Sequence, residues 1–150
     1  MVAPILTYGC EVWGTKCYDS LEKTLLKFCK LVLEVPNSAT TDAVLGELGR
    51  FPLWLVTQFR AVQYWVRCSV GEAPELVMEA MELSKLMSRH NYRSWYMKIN
   101  AIVSKYGFAY IMEDIDETKS RQFLSELGQR CEDCFVQEWH ASLGLSLIHI

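Results

Sequence analysis

Apolar positions along most of the chain recur at helical rather than strand spacing. Leu21, Leu25, Phe28, Cys29, Val32 and Leu33 form one stripe, with Lys23, Lys27 and Lys30 on the other side. That pattern predicts an amphipathic helix. Asp19 with Glu22 three residues on has capping-box spacing at its start. Pro36 ends it, because the residue before a proline is driven out of the helical region. Upstream, residues 2–13 are an apolar segment with Pro4 near its beginning, where a missing N–H does least harm, and Gly14 stops it.

Downstream, Thr41 is the expected cap of a short helix over 42–48, closed by Gly49. Pro52 suits the first position of the next helix. That helix reaches about Cys68 and carries Leu53, Leu55, Val56, Phe59, Val62, Tyr64, Trp65 and Val66. Being apolar nearly all round, it reads as the central and most buried element. Pro74 opens a further helix with Glu75 and Glu79 early and Lys85 and Arg89 late, the order the macrodipole favours. His90 and Asn91 break it. Ser94 starts another, with Trp95, Ile99, Ile102 and Val103 inward and Gly107 as the stop. Phe108–Met112 reads as a turn or extended stretch. Thr118 leads a long helix to about Ser142, lined by Phe123, Leu124, Leu127, Cys131, Cys134, Phe135 and Trp139. Gly128 inside it costs about 1 kcal/mol against alanine and marks an expected site of close helix packing. No strand alternation, repeat or linker interrupts the pattern. The expectation is an all-α fold, an irregular bundle of five to seven helices. It is either one domain over 1–146 or a truncated piece of a larger protein, and 147–150 read as a non-native tail.

Composition narrows the class. The chain has 150 residues, 51% hydrophobic and 22% charged, enough for one ordinary domain with a core. Five Trp, seven Tyr and six Phe exclude a solvated tail. No apolar run approaches the roughly 18 residues of a membrane span, and the start lacks the basic region and cleavage site of a signal peptide. Six scattered cysteines without an export signal are expected to be reduced, in the nucleus or cytoplasm. A net charge of −3 excludes a general polyanion binder. The charges are clumped, however. Arg50, Arg60 and Arg67 are the only charged residues between Glu47 and Glu72, and Lys85, Arg89, Arg93, Lys98 and Lys105 the only ones between Glu82 and Glu113. Such blocks either form solvated helix faces or meet a phosphate backbone while the acids point away.

Catalytic signatures are missing: no P-loop, no G-x-S-x-G elbow, no H-E-x-x-H. Cys131 and Cys134 have C-x-x-C spacing but no second pair. His140 lies about two and a half turns past Cys131 on one helix, too far to join a tetrahedral site. The pair therefore reads as helix-face packing, with a thiol-redox role as the remotest alternative. Glu113, Asp114, Asp116 and Glu117 match no calcium loop, and Met78, Met81 and Met87 read as core filler. No metal, cofactor or small-molecule substrate is expected.

Two stretches carry more. Residues 4–14 read PILTYGCEVWG and 46–53 read GELGRFPL, with the helix LLKFCKLVLEVP between them and AVQYWVRC at 61–68. Trp95, Lys105, Gly107, Phe108, Arg130, Asp133, Phe135, Gln137 and Trp139 follow in order. This succession resembles the region downstream of the polymerase palm in non-LTR retrotransposon reverse transcriptases of the jockey-like, endonuclease-bearing kind. Met112 stands where that pattern has Trp, and Cys131 and Cys134 replace residues that are not cysteine. The palm's Y/F-x-D-D aspartates, which hold the metal ions of nucleotidyl transfer, have no counterpart here, nor do the upstream endonuclease and the downstream Cys/His-rich segment.

The resemblance implies a thumb and post-thumb connection, a non-catalytic part of an RNA-directed DNA polymerase. It would touch the RNA or DNA template–primer weakly and without reading bases, beside the remainder of the parent polymerase. The candidate phosphate contacts are Arg50, Arg60 and Arg67, then Lys23, Lys27 and Lys30, then Arg93 and Lys98. Glu47 is expected to be structural, pairing with Arg50. The alternative is a helical protein–protein interaction module with no nucleic-acid role, suggested by the acidic balance and the aromatics around Tyr64 and Trp65.

Overall fold

The computed structural model describes residues 3–147, with side chains from Pro4 to Ser142. The described residues form eight α-helices and one 3-10 turn: α1 (Ala3–Leu6), α2 (Cys10–Trp13), α3 (Asp19–Val32), α4 (Thr41–Glu47), α5 (Leu53–Ser69), α6 (Glu75–Arg89), α7 (Trp95–Lys105), the turn Ala109–Met112, and α8 (Glu117–Leu147). The all-α class holds. The count exceeds five to seven because the first apolar segment is two short helices: Gly9 adopts φ 66° between them, a left-handed conformation that breaks helical continuity. Phe108–Met112 is a 3-10 turn with Ile111 and Met112 buried, rather than extended. The expected tail at 147–150 falls outside the described side chains. No described helix is long and apolar enough to cross a membrane.

Burial follows the expected hierarchy. On α5, Ala61, Val62, Trp65 and Val66 are buried, and α6, α7, the 3-10 turn and α8 surround them through Met81, Ile99, Val103, Ile111, Phe123 and Leu127. Trp65 and Phe108 each meet Phe123 edge-on, at 6.3 and 5.5 Å between centroids, the geometry the ring quadrupoles favour. A smaller cluster of Leu25, Cys29, Val44 and Leu53 ties α3 and α4 to the start of α5. The far end of α8 returns to α4. Trp139 Nε1 donates to the Asp42 carbonyl at 3.1 Å, and Ser142 Oγ donates to Asp42 Oδ2 at 2.9 Å. The Trp139 ring lies where a Cβ on Gly46 would be, 2.9 Å from that position.

Two caps differ from the local pattern. Thr40, not Thr41, caps α4, accepting from the Ala43 N–H at 3.4 Å. Asp19 and Glu22 form no capping box: the residue before α3 is Tyr18, without a side-chain cap. The Glu22 carboxylate reaches across to α5, accepting from the Leu53 N–H at 3.1 Å and from the Trp54 N–H. Two otherwise unpaired donors at the start of the central helix are thus satisfied from another helix, where a negative charge also favours the macrodipole. Glu22→Ala is expected to cost about 1–2 kcal/mol, the range for losing an N-cap. The check is the urea midpoint, with Glu22→Gln recovering part of the loss because its amide oxygen still accepts one bond.

The acidic loop before α8 is also accounted for. Asp116 Oδ1 accepts from the Thr118 hydroxyl at 2.6 Å and the Lys119 N–H at 2.8 Å, and these bonds lower its carboxyl to about 2. Lys119 pairs with Asp114 and Asp116. Among the described residues no cluster of three or more potential ligands could hold a metal ion.

Candidate nucleic-acid interface

The solvent-facing side of α5 is a ridge of Val56, Arg60, Gln63 and Arg67, with Gln63 half-buried and the other three exposed. Arg60 and Arg67 share it because seven residues make almost two turns, which places them about 10 Å apart along the axis. Arg60 is braced: its Nη1 donates to Thr7 Oγ1 at 3.0 Å. Thr7 itself is buried, so the bond joins the α1–α2 segment to the centre of the ridge. Beneath it lies the buried Cys10 thiol. Burial raises its pKa and nearby Glu11 raises it further, while a bond and the charge from Arg60 oppose both.

What fixes this arrangement is the approach of α2 to α5. Gly14 ends α2, its N–H bonded to the Cys10 carbonyl at 2.7 Å. A Cβ there would stand 2.6 Å from the Thr57 carbonyl oxygen and 2.9 Å from the Thr57 Cβ. Thr57 is buried and donates its hydroxyl to the Trp54 carbonyl at 3.1 Å. The other flank of α5 meets α8, where a Cβ on Gly128 would lie 3.5 Å from the Phe59 ring. That is ordinary contact distance, so Gly128 does not mark the tight approach expected of it; Gly14 does.

The remaining candidate cations sit on other elements. Lys23 and Lys27 are exposed on α3. Lys30 is half-buried and its Nζ donates to the Asn37 carbonyl at 2.7 Å, which ties down the loop after α3. That bond makes Lys30 a loop anchor first. Arg50 is exposed in the α4–α5 connection, where its N–H bonds the Leu45 carbonyl at 2.9 Å. The expected Glu47–Arg50 pair is not formed, since the ion pairs among the described residues are confined to Lys119. Arg93 precedes Ser94, whose hydroxyl accepts from the Met97 N–H at 3.2 Å and caps α7. Lys98 is exposed on α7. Lys105, outside the candidate set, lies 5.3 Å from the ring centroids of both Trp54 and Tyr106, a cation–π seam between α5 and α7. Only Arg60 and Arg67 are brought onto one ridge with a neighbouring segment fastened to it. Thr7, which does the fastening, carries no sequence signal of that role beyond its place in PILTYGCEVWG.

The thiols of the candidate C-x-x-C pair are packing residues on α8. Cys131 is buried and Cys134 half-buried. Desolvation pushes the Cys131 thiol up to about 11, while the Tyr106 hydroxyl bonded to it pulls the other way. Of the three methionines expected in the core, Met81 is buried and Met78 half-buried, but Met87 is exposed. It joins Leu76, Leu83 and Leu86 on an uncovered apolar side of α6. Beside it a groove of about 400 Å³ runs between α2, α5, α6 and α7, lined by Val12, Tyr64, Val77, Ala80 and Trp95 among others. The Trp95 indole N–H is buried without a hydrogen-bond partner among the described residues. It has almost no accessible surface, so an occupant of the groove could not reach it.

Fold and site together define an all-α structure with an arginine ridge on its central helix. No protein-family model, curated protein or solved structure matches the chain.

Proposed function

We propose that this domain is a non-catalytic thumb-and-connection element of a reverse-transcriptase-like polymerase, touching the template–primer backbone through the α5 ridge. The reading rests on the order of motifs from PILTYGCEVWG to Trp139. The observation that carries it is the placement of Arg60 and Arg67 on one exposed face, with Arg60 held by Thr7 rather than neutralised by a carboxylate. Such contacts fix position without reading sequence. They are electrostatic, and the overall charge of −3 keeps the affinity of the isolated chain low. Arg50, Lys23, Lys27, Arg93 and Lys98 extend the positive field from other elements, and Lys30 does so less, being tied to Asn37.

Fluorescence anisotropy against salt concentration tests this. Binding by the wild type should be indifferent to base sequence and fall steeply with salt. Replacing both arginines, Arg60→Gln with Arg67→Gln, should weaken every oligonucleotide alike and lower the magnitude of the log–log salt slope by about 2. A flat salt response would overturn the phosphate reading.

One observation favours a second reading, a protein-interaction module. Leu76 (76% exposed), Leu83, Leu86 and Met87 lie uncovered on α6 beside the apolar groove. Apolar area of that kind often marks a contact surface. Under this reading Leu83→Glu changes the self-association seen by sedimentation, and the arginine substitutions leave it unaltered.

A further inference from the structure

We propose that Tyr8 is a stacking platform for an unpaired base, so that the strand followed by the α5 ridge is single-stranded at that point. The inference rests on the backbone-contact reading and deepens it. Tyr8 is 87% exposed, the most exposed of the large apolar side chains described. Its backbone is nevertheless held on several sides. The Tyr8 carbonyl accepts from Trp13 Nε1 at 3.0 Å, the Tyr8 N–H bonds the Ile5 carbonyl at 3.4 Å, and the Cys10 N–H bonds the Thr7 carbonyl at 3.1 Å. The nearby indole does not cover the ring either, because Trp13 meets Tyr18 edge-on at 5.6 Å. An aromatic ring is therefore presented to solvent from a fixed turn.

Its neighbour supplies the second half of the site. Thr7 receives the Arg60 guanidinium at 3.0 Å, so the residue that holds the cation is the one directly before Tyr8 in the chain. Arg67 lies about 10 Å further along the ridge. A cationic track with an aromatic beside it is how single strands are held without sequence preference: phosphates follow the cations while a base lies on the ring. Inside a duplex each base face is already covered by the next pair, so a protruding tyrosine finds a partner only on an unpaired or terminal base. The chemistry is a single strand of RNA or DNA, or the single-stranded side of a junction.

The test compares the full chain with Tyr8→Ala and Tyr8→Phe on three fluorescent probes: an oligothymidine strand, the same strand with abasic sites, and a duplex of equal length. Tyr8→Ala is expected to weaken oligothymidine binding roughly five- to a hundredfold. Tyr8→Phe should stay near wild type, the abasic strand should not distinguish the variants, and the duplex should do so far less than oligothymidine, through its terminal pairs alone. Because the ring is exposed, the thermal midpoint should hardly move. If Tyr8→Ala binds oligothymidine like wild type while the Arg60/Arg67 variant is weakened, the stacking inference falls and the backbone reading stands. If the wild type binds none of the probes at low salt, both fall.

Discussion

Gly14→Ala is expected to destabilise the domain by about 3 kcal/mol, the upper range for overpacking a closed site. The added methyl would press on the Cys10 carbonyl oxygen and stand 2.6 Å from the Thr57 carbonyl oxygen and 2.9 Å from the Thr57 Cβ. None of these is the movable end of a long side chain. Relief requires the last turn of α2 to open at Cys10 and α2 to draw away from α5, which disturbs the seat of the buried Cys10 and Thr57. For a domain of this size the thermal midpoint should fall by about 10 °C. Gly128→Ala is the control, since it adds the same methyl 3.5 Å from the Phe59 ring. There the helix propensity of alanine should hold or raise stability by up to about 1 kcal/mol. A Gly14→Ala midpoint equal to wild type would show that α2 does not pack as described. The effect reaches the site as well: α2 follows directly on Thr7 and Tyr8, so oligonucleotide binding should weaken together with stability.

Alkaline pH is expected to destabilise the domain progressively. Burial raises the thiols of Cys10, Cys68 and Cys131 and the phenols of Tyr96 and Tyr106 above their ordinary values. Each keeps its proton in the fold to a higher pH than in the unfolded chain. The unfolded state therefore binds fewer protons in that window, and stability falls as pH rises. For Cys131 the contribution is fully present below about 9, the unfolded value, and is lost as pH climbs through about 11. That thiol alone accounts for about 2 kcal/mol, taking 1.4 kcal/mol per pH unit and allowing for partial relaxation. Urea midpoints should be level from neutral pH to about pH 8.5 and drop steadily beyond. Cys131→Ala should be less stable at neutral pH, from the lost packing, yet show a shallower alkaline decline. An equally steep decline in that variant would remove Cys131 from the account and leave Cys10, Cys68 and the two tyrosines.

Local signals place the helices where the partner of a residue is its own helix, though the α4 cap falls on Thr40 rather than Thr41 and Phe28 and Val32 of the α3 stripe are exposed. The 3.6-residue stripes of α3, α5 and α7, the Ser94 cap and the proline and glycine punctuation follow from i to i+4 chemistry, which a linear string displays. They fail where the partner is distant. Asp19 and Glu22 have capping-box spacing, yet the Glu22 carboxylate serves α5, 31 and 32 residues on. Met87 has helical apolar spacing, but its side of α6 meets no other described element closely enough to bury it. The candidate cations were legible as a set of charges. Their division into an exposed ridge at Arg60 and Arg67, a loop anchor at Lys30 and scattered positions elsewhere was not, because it depends on which neighbouring segment lies within reach.

The sequence by itself determined the helical class, the central place of α5 and the lack of recognisable catalytic motifs, since periodicity, burial propensity and motif chemistry are properties of short windows. Only the tertiary structure decided that Gly14, and not Gly128, stands too close to the neighbouring helix to admit a side chain. It alone joined Thr7 to Arg60 across 53 residues and Trp139 to Asp42 across 97, and left Tyr8 open to solvent. Those outcomes are set by how rigid helices pack on α5. Close packing transmits a demand from one surface to another, and neither stretch of sequence encodes it alone.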